Sequence, residues 1–190
     1  MGSKALGNGP ALWRVVVRRA IKSGVVIRLM QYLLDTNILL RFANTSDAAH
    51  DLASKAVELL FRRKDQLFVT PQVLIEFWNA GTRPVAVSGL GMSLDEAVKH
   101  IQSFEVQFQM LAEPADVWVR LKSIGTSAKV IGKQIHDARL VAICHLHSIP
   151  NILTFNGRHF ARFAAIGPGL NIVEPATVLT PAVTKPPSLP

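Results

Sequence analysis

"QYLLDTNILL", residues 31–40, sets two apolar runs around a single carboxylate. Tyr32, Leu33 and Leu34 form the kind of short apolar run that makes a buried strand. Ile38, Leu39 and Leu40 are apolar again, and Asp35 stands between the two runs. An unpaired carboxylate beside buried segments is costly. Whatever compensates Asp35 has to come from elsewhere.

Similar runs recur along the chain, separated by helical patterns. "SDAAHDLASKAVELLFRR", residues 46–63, carries a helical stripe through Leu52, Ala56, Leu59 and Leu60, with Ser46 as the expected N-cap. Gln66–Thr70 reads as a second strand. Thr70-Pro71 then supplies a cap and a proline at the first helical position. "RPVAVSGLGM" reads as a loop, and Ser93 with Glu96 forms a capping-box pattern. Phe108–Leu111 is an expected third strand, followed by a helix from near Pro114 and a longer one within "IGKQIHDARLVAICHLHS". "NILTF" and "LNIV" complete five strands. Strands alternating with helices predict an α/β layered fold with a mostly parallel sheet, and such sheets bind ligands at their strands' carboxyl ends. Asp35 stands at such an end.

Charge is unevenly placed. The 190 residues carry a formal net charge of +8, of which six positive charges and no acid fall in residues 1–29. The central part of the chain is close to neutral, so the total says little about the folded surface. Apolar residues make up 49%, which excludes wholesale disorder. Cys144 is the only cysteine, so no intramolecular disulfide forms; this fits a reducing compartment, and a cytoplasmic location is expected. No apolar run approaches the roughly 20 residues of a membrane span. The expected organisation is a basic extension over 1–29, a folded domain over 30–175 starting at Met30, and a proline-rich disordered tail over 176–190.

Two further carboxylates sit oddly. Glu76 lies within "VLIEFW" and shares a helix face with Val73, Phe77 and Ala80. As a mere surface residue it would be in strongly apolar company. Asp137 heads the stripe of Leu140, Val141 and Cys144, near a helix start, where the dipole alone would favour it. Asn156 closes "NILTFN", two residues after Thr154. Three carboxylates on separate elements, gathered where an α/β sheet binds ligands, suit Mg²⁺ or Mn²⁺. A cation would relieve their mutual repulsion and answer the cost of Asp35.

Other signals carry less. Asn37 cannot act as the general acid that an aspartyl-nucleophile phosphatase needs two residues after its nucleophile. No glycine-rich phosphate cradle is present. Cys144, His145 and His147 resemble a zinc set, but residues one or two apart on a helix do not share a face, so the three do not converge as ligands. Trp78 and Trp118 are expected to fill core space.

"LLDTNILL", "PQVLIEFWNAGTRP", "GKQIHDARLVA" and "LTFNGRHF" together resemble the PIN-domain family, specifically VapC-like toxin ribonucleases, over about residues 30–175. The resemblance implies a three-layer α/β/α sandwich and Mg²⁺- or Mn²⁺-dependent cleavage of RNA. It implies Asp35, Glu76 and Asp137 as metal ligands, with Asn156 at the fourth acidic position, orienting a water through its amide. Thr36 and Asn37 would order Asp35, and Thr154 would place a hydroxyl near the metal. It further implies a homodimer, a cognate VapB-like antitoxin and no membrane association. His159 stands where many relatives have Asp, and Asn156 leaves three formal negative charges rather than four. Arg41, Arg83 and Lys133 follow the motif blocks and are expected to track the RNA backbone. The competing expectation is a non-catalytic PIN-fold module that binds RNA or protein.

Overall fold

The computed structural model describes residues 29–180. Five short strands form one all-parallel sheet in the order β3-β2-β1-β4-β5. They are β1 (Gln31–Leu34), β2 (Gln66–Val69), β3 (Gln109–Met110), β4 (Asn151–Leu153) and β5 (Asn171–Val173). The chain builds outward from β1 to β3, then returns to place β4 on the other side of β1. That reversal makes the seam between β1 and β4 the topological switch point, where the carboxyl ends open a crevice.

The helices are α1 (Thr36–Ala43), α2 (His50–Arg62), α3 (Pro71–Thr82), α4 (Leu94–Gln107), α5 (Val117–Ser127), α6 (Gln134–Leu146), α7 (Gly157–Phe160) and α8 (Pro175–Leu179). Right-handed crossovers put α1–α4 on one side of the sheet and α5 and α6 on the other. The packing agrees: α1 meets α2 and α3, α3 meets α4, and α6 meets α5 and α7. The result is the three-layer α/β/α sandwich. Leu33, Leu34, Val69, Ile152 and Leu153 lie at the buried centre, flanked by Ile38, Phe77 and Phe104 on one side and Leu140 and Val141 on the other.

Local signals account for several boundaries. The Thr70 hydroxyl accepts from Val73 N at 3.2 Å with Pro71 at the first helical position, which starts α3 where the sequence says. Ser93 and Glu96 form the complete capping box of α4. Other boundaries move. Helix α1, which the sequence patterns do not mark, begins directly after Asp35; its eight residues open with Thr and Asn, both poor helix formers. Ser46 does not cap α2, which begins at His50 after a turn in which Asp47 Oδ1 accepts from Ala49 N at 2.7 Å. Strand β3 pairs over two residues rather than four, and α5 starts at Val117, not near Pro114.

Two expectations about packing need correction. Trp78 is 42% exposed and Trp118 65%, so neither fills the core; each sits on the outward face of its helix. Residues 176–179, expected in a disordered tail, lie in α8, which packs on α2, buries Val178 and receives a hydrogen bond from Arg63 at the Val178 carbonyl. Residues 1–28 and 181–190, the rest of the expected extension and tail, lie outside the described residues. Among the described residues no helix is long and apolar enough to cross a membrane.

Candidate active site

Asp35 follows β1 directly and occupies the N-cap position of α1 with an extended backbone. Its N–H donates to Leu153 O at 3.0 Å, which carries the β1–β4 seam one residue past the paired strands. Its side chain makes no capping bond. It faces the crevice, where Oδ2 accepts from the Thr154 hydroxyl at 2.6 Å and from Asn37 Nδ2. Asn37 also donates to Thr154 Oγ1 at 3.0 Å, and its Oδ1 accepts from Phe155 N at 3.0 Å. These bonds lock the end of β1 to the end of β4. Asp35, Asn37 and Thr154 are all buried.

Burial raises the Asp35 pKa most, from its ordinary 3.8 to about 6, against the lowering effect of the Thr154 hydrogen bond. The negative charges of Asp137 and Glu76 push it up further. The Thr36 hydroxyl on Glu76, at 2.7 Å, and Gln72 Nε2 on the His136 carbonyl, at 3.0 Å, join the three elements that carry these carboxylates. Asp137 is likewise raised, first by its own burial, and Glu76 again contributes.

Asp35 stands at the cap of α1, Glu76 in the second turn of α3, and Asp137 in the first turn of α6. The positive helix ends beside Asp35 and Asp137 moderate the repulsion without cancelling it. The Glu76 carboxylate is held by the Thr36 hydroxyl on Oε2 at 2.7 Å and by Gln72 on Oε1 at 2.8 Å. His136 Nδ1 lies 3.4 Å from Glu76, and His159 Nδ1 lies 3.8 Å from Asp137. Thr36, expected with Asn37 to order Asp35, favours the Asp35 carboxylate through its backbone N–H and gives its hydroxyl to Glu76; Asn37 and Thr154 hold Asp35 with their side chains.

Asn156 caps α7 and is exposed, its N–H donating to Thr154 Oγ1 at 2.9 Å. Arg41 stacks its guanidinium over Phe155, 4.5 Å from the ring centre, and so stands beside the crevice. Lys133 is the residue before α6, one turn from Asp137. Arg83 ends α3, seven residues past Glu76, and is therefore about 10 Å further along the helix. Arg162, which the sequence did not single out, acts on Asp137 electrostatically and donates to Gln134 at 2.6 Å. Gln72 was also missed; a glutamine four residues before a helical glutamate was the available signal.

The donor set, three carboxylates with a surplus of negative charge, fits a hard divalent cation in chemistry. Among the described residues, no three His, Cys, Asp or Glu side chains stand close enough to coordinate one ion as they lie. Thr36, Gln72 and His136 contact Glu76, and His159 stands beside Asp137. Cys144 is fully buried, burial pushes its thiol far up, and His147 is engaged with the Ala112 carbonyl, so the discounted zinc set has no place here.

The sequence model of the PIN domain family matches residues 32–166. No curated protein matches the chain. Among solved structures, the chain is similar to a chain of VapBC2 from Rickettsia felis bound to a DNA fragment from their promoter, with 19% identity and a TM-score of 0.57 over 76% of this chain and 98% of that one. VapC20 from Mycobacterium tuberculosis, a sarcin–ricin loop cleaving toxin, is 19% identical with a TM-score of 0.53 over 68% and 93%. A chain of VapBC-1 from nontypeable Haemophilus influenzae is 15% identical with a TM-score of 0.55 over 77% and 99%. At these identities the likeness is one of fold. By the family match over most of its length, the chain belongs to the PIN domain family.

Proposed function

We propose that this chain is a Mg²⁺- or Mn²⁺-dependent endoribonuclease, the toxin of a VapBC-like toxin–antitoxin module. One observation carries the reading: a buried Asp35, raised by burial and by Glu76 and Asp137, at the switch point of a parallel sheet. Family membership supports it, and so does the likeness to a toxin that cleaves the sarcin–ricin loop. Asp35, Glu76 and Asp137 would hold the cation. Bound there, it would supply an activated water and neutralise charge developing on the phosphate.

The chain's own residues do the rest. Asn37 and Thr154 fix Asp35 in orientation. Thr36 and Gln72 do the same for Glu76. Asn156 offers an exposed amide at the end of β4 that orients water. Arg41, Lys133 and Arg162 supply positive charge for the RNA backbone; Arg83 stands too far along α3 for a central part. The expected partner is a VapB-like antitoxin, supported by the VapBC complexes among the similar structures, with a homodimer as the active assembly and the cytoplasm as its place of action.

A second reading, a PIN-fold module that binds RNA or protein without cutting, is favoured by the exposed Asn156 and by carboxylates that do not yet converge on one point. Labelled RNA incubated with Mg²⁺ or Mn²⁺, with and without EDTA, separates the two. The nuclease reading expects cleavage that EDTA abolishes and that Asp35→Asn and Asp137→Asn each reduce at least about 100-fold. Cleavage surviving EDTA and both substitutions overturns it. RNA retention at saturating Mn²⁺ without turnover supports the second reading.

A further inference from the structure

Gln72 lies one turn before Glu76 on α3 and is only 3% exposed. A buried primary amide needs partners for both its N–H groups and its oxygen. Its Nε2 donates to Glu76 Oε1 at 2.8 Å and to the His136 carbonyl at 3.0 Å. Its Oε1 accepts from Arg139 Nη1 at 3.2 Å. Arg139 is in turn held by both carboxylate oxygens of Glu113, at 3.1 and 2.5 Å. Reversing the amide would set its oxygen against a carboxylate and a carbonyl, and its N–H groups against a guanidinium. Only one orientation satisfies every group.

These bonds join elements that cover opposite faces of the sheet. Helix α3 follows β2 on one side and α6 precedes β4 on the other, and their N-termini meet over the carboxyl edge of the strands. Gln72 spans that meeting point, from the Glu76 carboxylate to the backbone of the residue before Asp137. We propose that Gln72 is a positioning residue, braced by Arg139 and Glu113, that sets the distance between Glu76 and Asp137; the proposal rests on the nuclease reading above. It touches neither substrate nor reacting atoms. Its effect is to hold Glu76 in register with α6, so that both carboxylates close on one cation with little rearrangement.

Gln72→Met keeps an unbranched chain of similar volume and removes every hydrogen bond. Three readouts follow, all on the full chain. The Mn²⁺ concentration giving half of the cation-induced rise in Tm should increase about 10-fold or more. With RNA, kcat should fall about 10-fold or more while KM stays within about threefold. In metal-free protein, the Gln72 side-chain amide protons should exchange with solvent far more slowly than those of exposed Gln102, and Arg139→Met should speed that exchange. Val57→Ala, a core change in α2, should lower Tm and leave the Mn²⁺ midpoint where it is. Should Gln72→Met fail to fold, Arg139→Met, on the partly exposed rim, carries the test with a smaller Mn²⁺ shift of about two- to threefold.

An unchanged Mn²⁺ midpoint and kcat in Gln72→Met, beside a parent that binds Mn²⁺ and cuts RNA, overturns the positioning role alone. Gln72 amide protons that exchange as fast as those of Gln102 overturn it too. A parent that neither responds to Mn²⁺ nor cuts RNA overturns the nuclease reading, and the positioning role with it.

Discussion

Thr154 and Asp35, 119 residues apart in sequence, meet across the β1–β4 seam, where the threonine hydroxyl donates to Asp35 Oδ2 at 2.6 Å. The same oxygen atom of Thr154 accepts from Asn37 Nδ2 and from Asn156 N. One buried hydroxyl thus serves the ends of two strands. Thr154→Val keeps the shape and removes one hydrogen bond from each of Asp35, Asn37 and Asn156. It should cost about 1–3 kcal/mol at pH 7.5 in urea titrations, while Thr154→Ser should cost far less. Equal losses would show that the methyl group, not the hydroxyl, matters.

Asp35 should make the metal-free protein less stable as pH rises. Its folded pKa, about 6, lies above its ordinary 3.8. Between those values the native state holds a proton that the unfolded chain has released, so stability falls through that window and levels off above it. The full effect is about 3 kcal/mol. Asp137, also raised, acts in the same direction. In EDTA, Asp35→Asn should therefore be more stable than the parent at pH 7.5, with the gap closing below about pH 4. His145, whose pKa burial lowers, acts with the opposite sign, so the comparison is between proteins: equal stability changes from pH 4 to 7 in the parent and Asp35→Asn would contradict this.

Helix α8 should belong to the folded unit. Val178 is buried against α2, and its carbonyl accepts from Arg63 at 3.2 Å. Val178→Asp buries a charge there and should cost about 3 kcal/mol or more. A chain ending at residue 174 should show a comparable loss by thermal unfolding.

The two faces of α3 should respond differently. Phe77 is fully buried and stacks edge-on against Phe104 with ring centres 5.0 Å apart. Phe77→Ala should cost about 3–5 kcal/mol. Ile75 is 67% exposed, and Ile75→Ser should change stability by less than about 0.5 kcal/mol. Denaturant midpoints compare them directly.

Asp35, Glu76 and Asp137 were legible in sequence because charge inside apolar runs is rare, and the alternation of strands and helices places them at one edge. The caps at Thr70 and Ser93 were legible because capping chemistry is local. Helix α1 was not, since its eight residues are stabilised by packing on α2 and α3 rather than by their own propensity. The exposure of Trp78 and Trp118 was hidden because hydrophobicity alone does not say which face a helix buries. Gln72 and Arg139 were hidden because their roles depend on partners 64 and 67 residues away.

The central claim is that Asp35, Glu76 and Asp137 make one cation site. Calorimetric titration of Mn²⁺ into the parent and into Asp35→Asn, Glu76→Gln and Asp137→Asn measures it directly. The account predicts about one ion per chain for the parent and an affinity at least about tenfold weaker in each variant. Equal affinity in the parent and all three variants, or no binding by the parent, would contradict it.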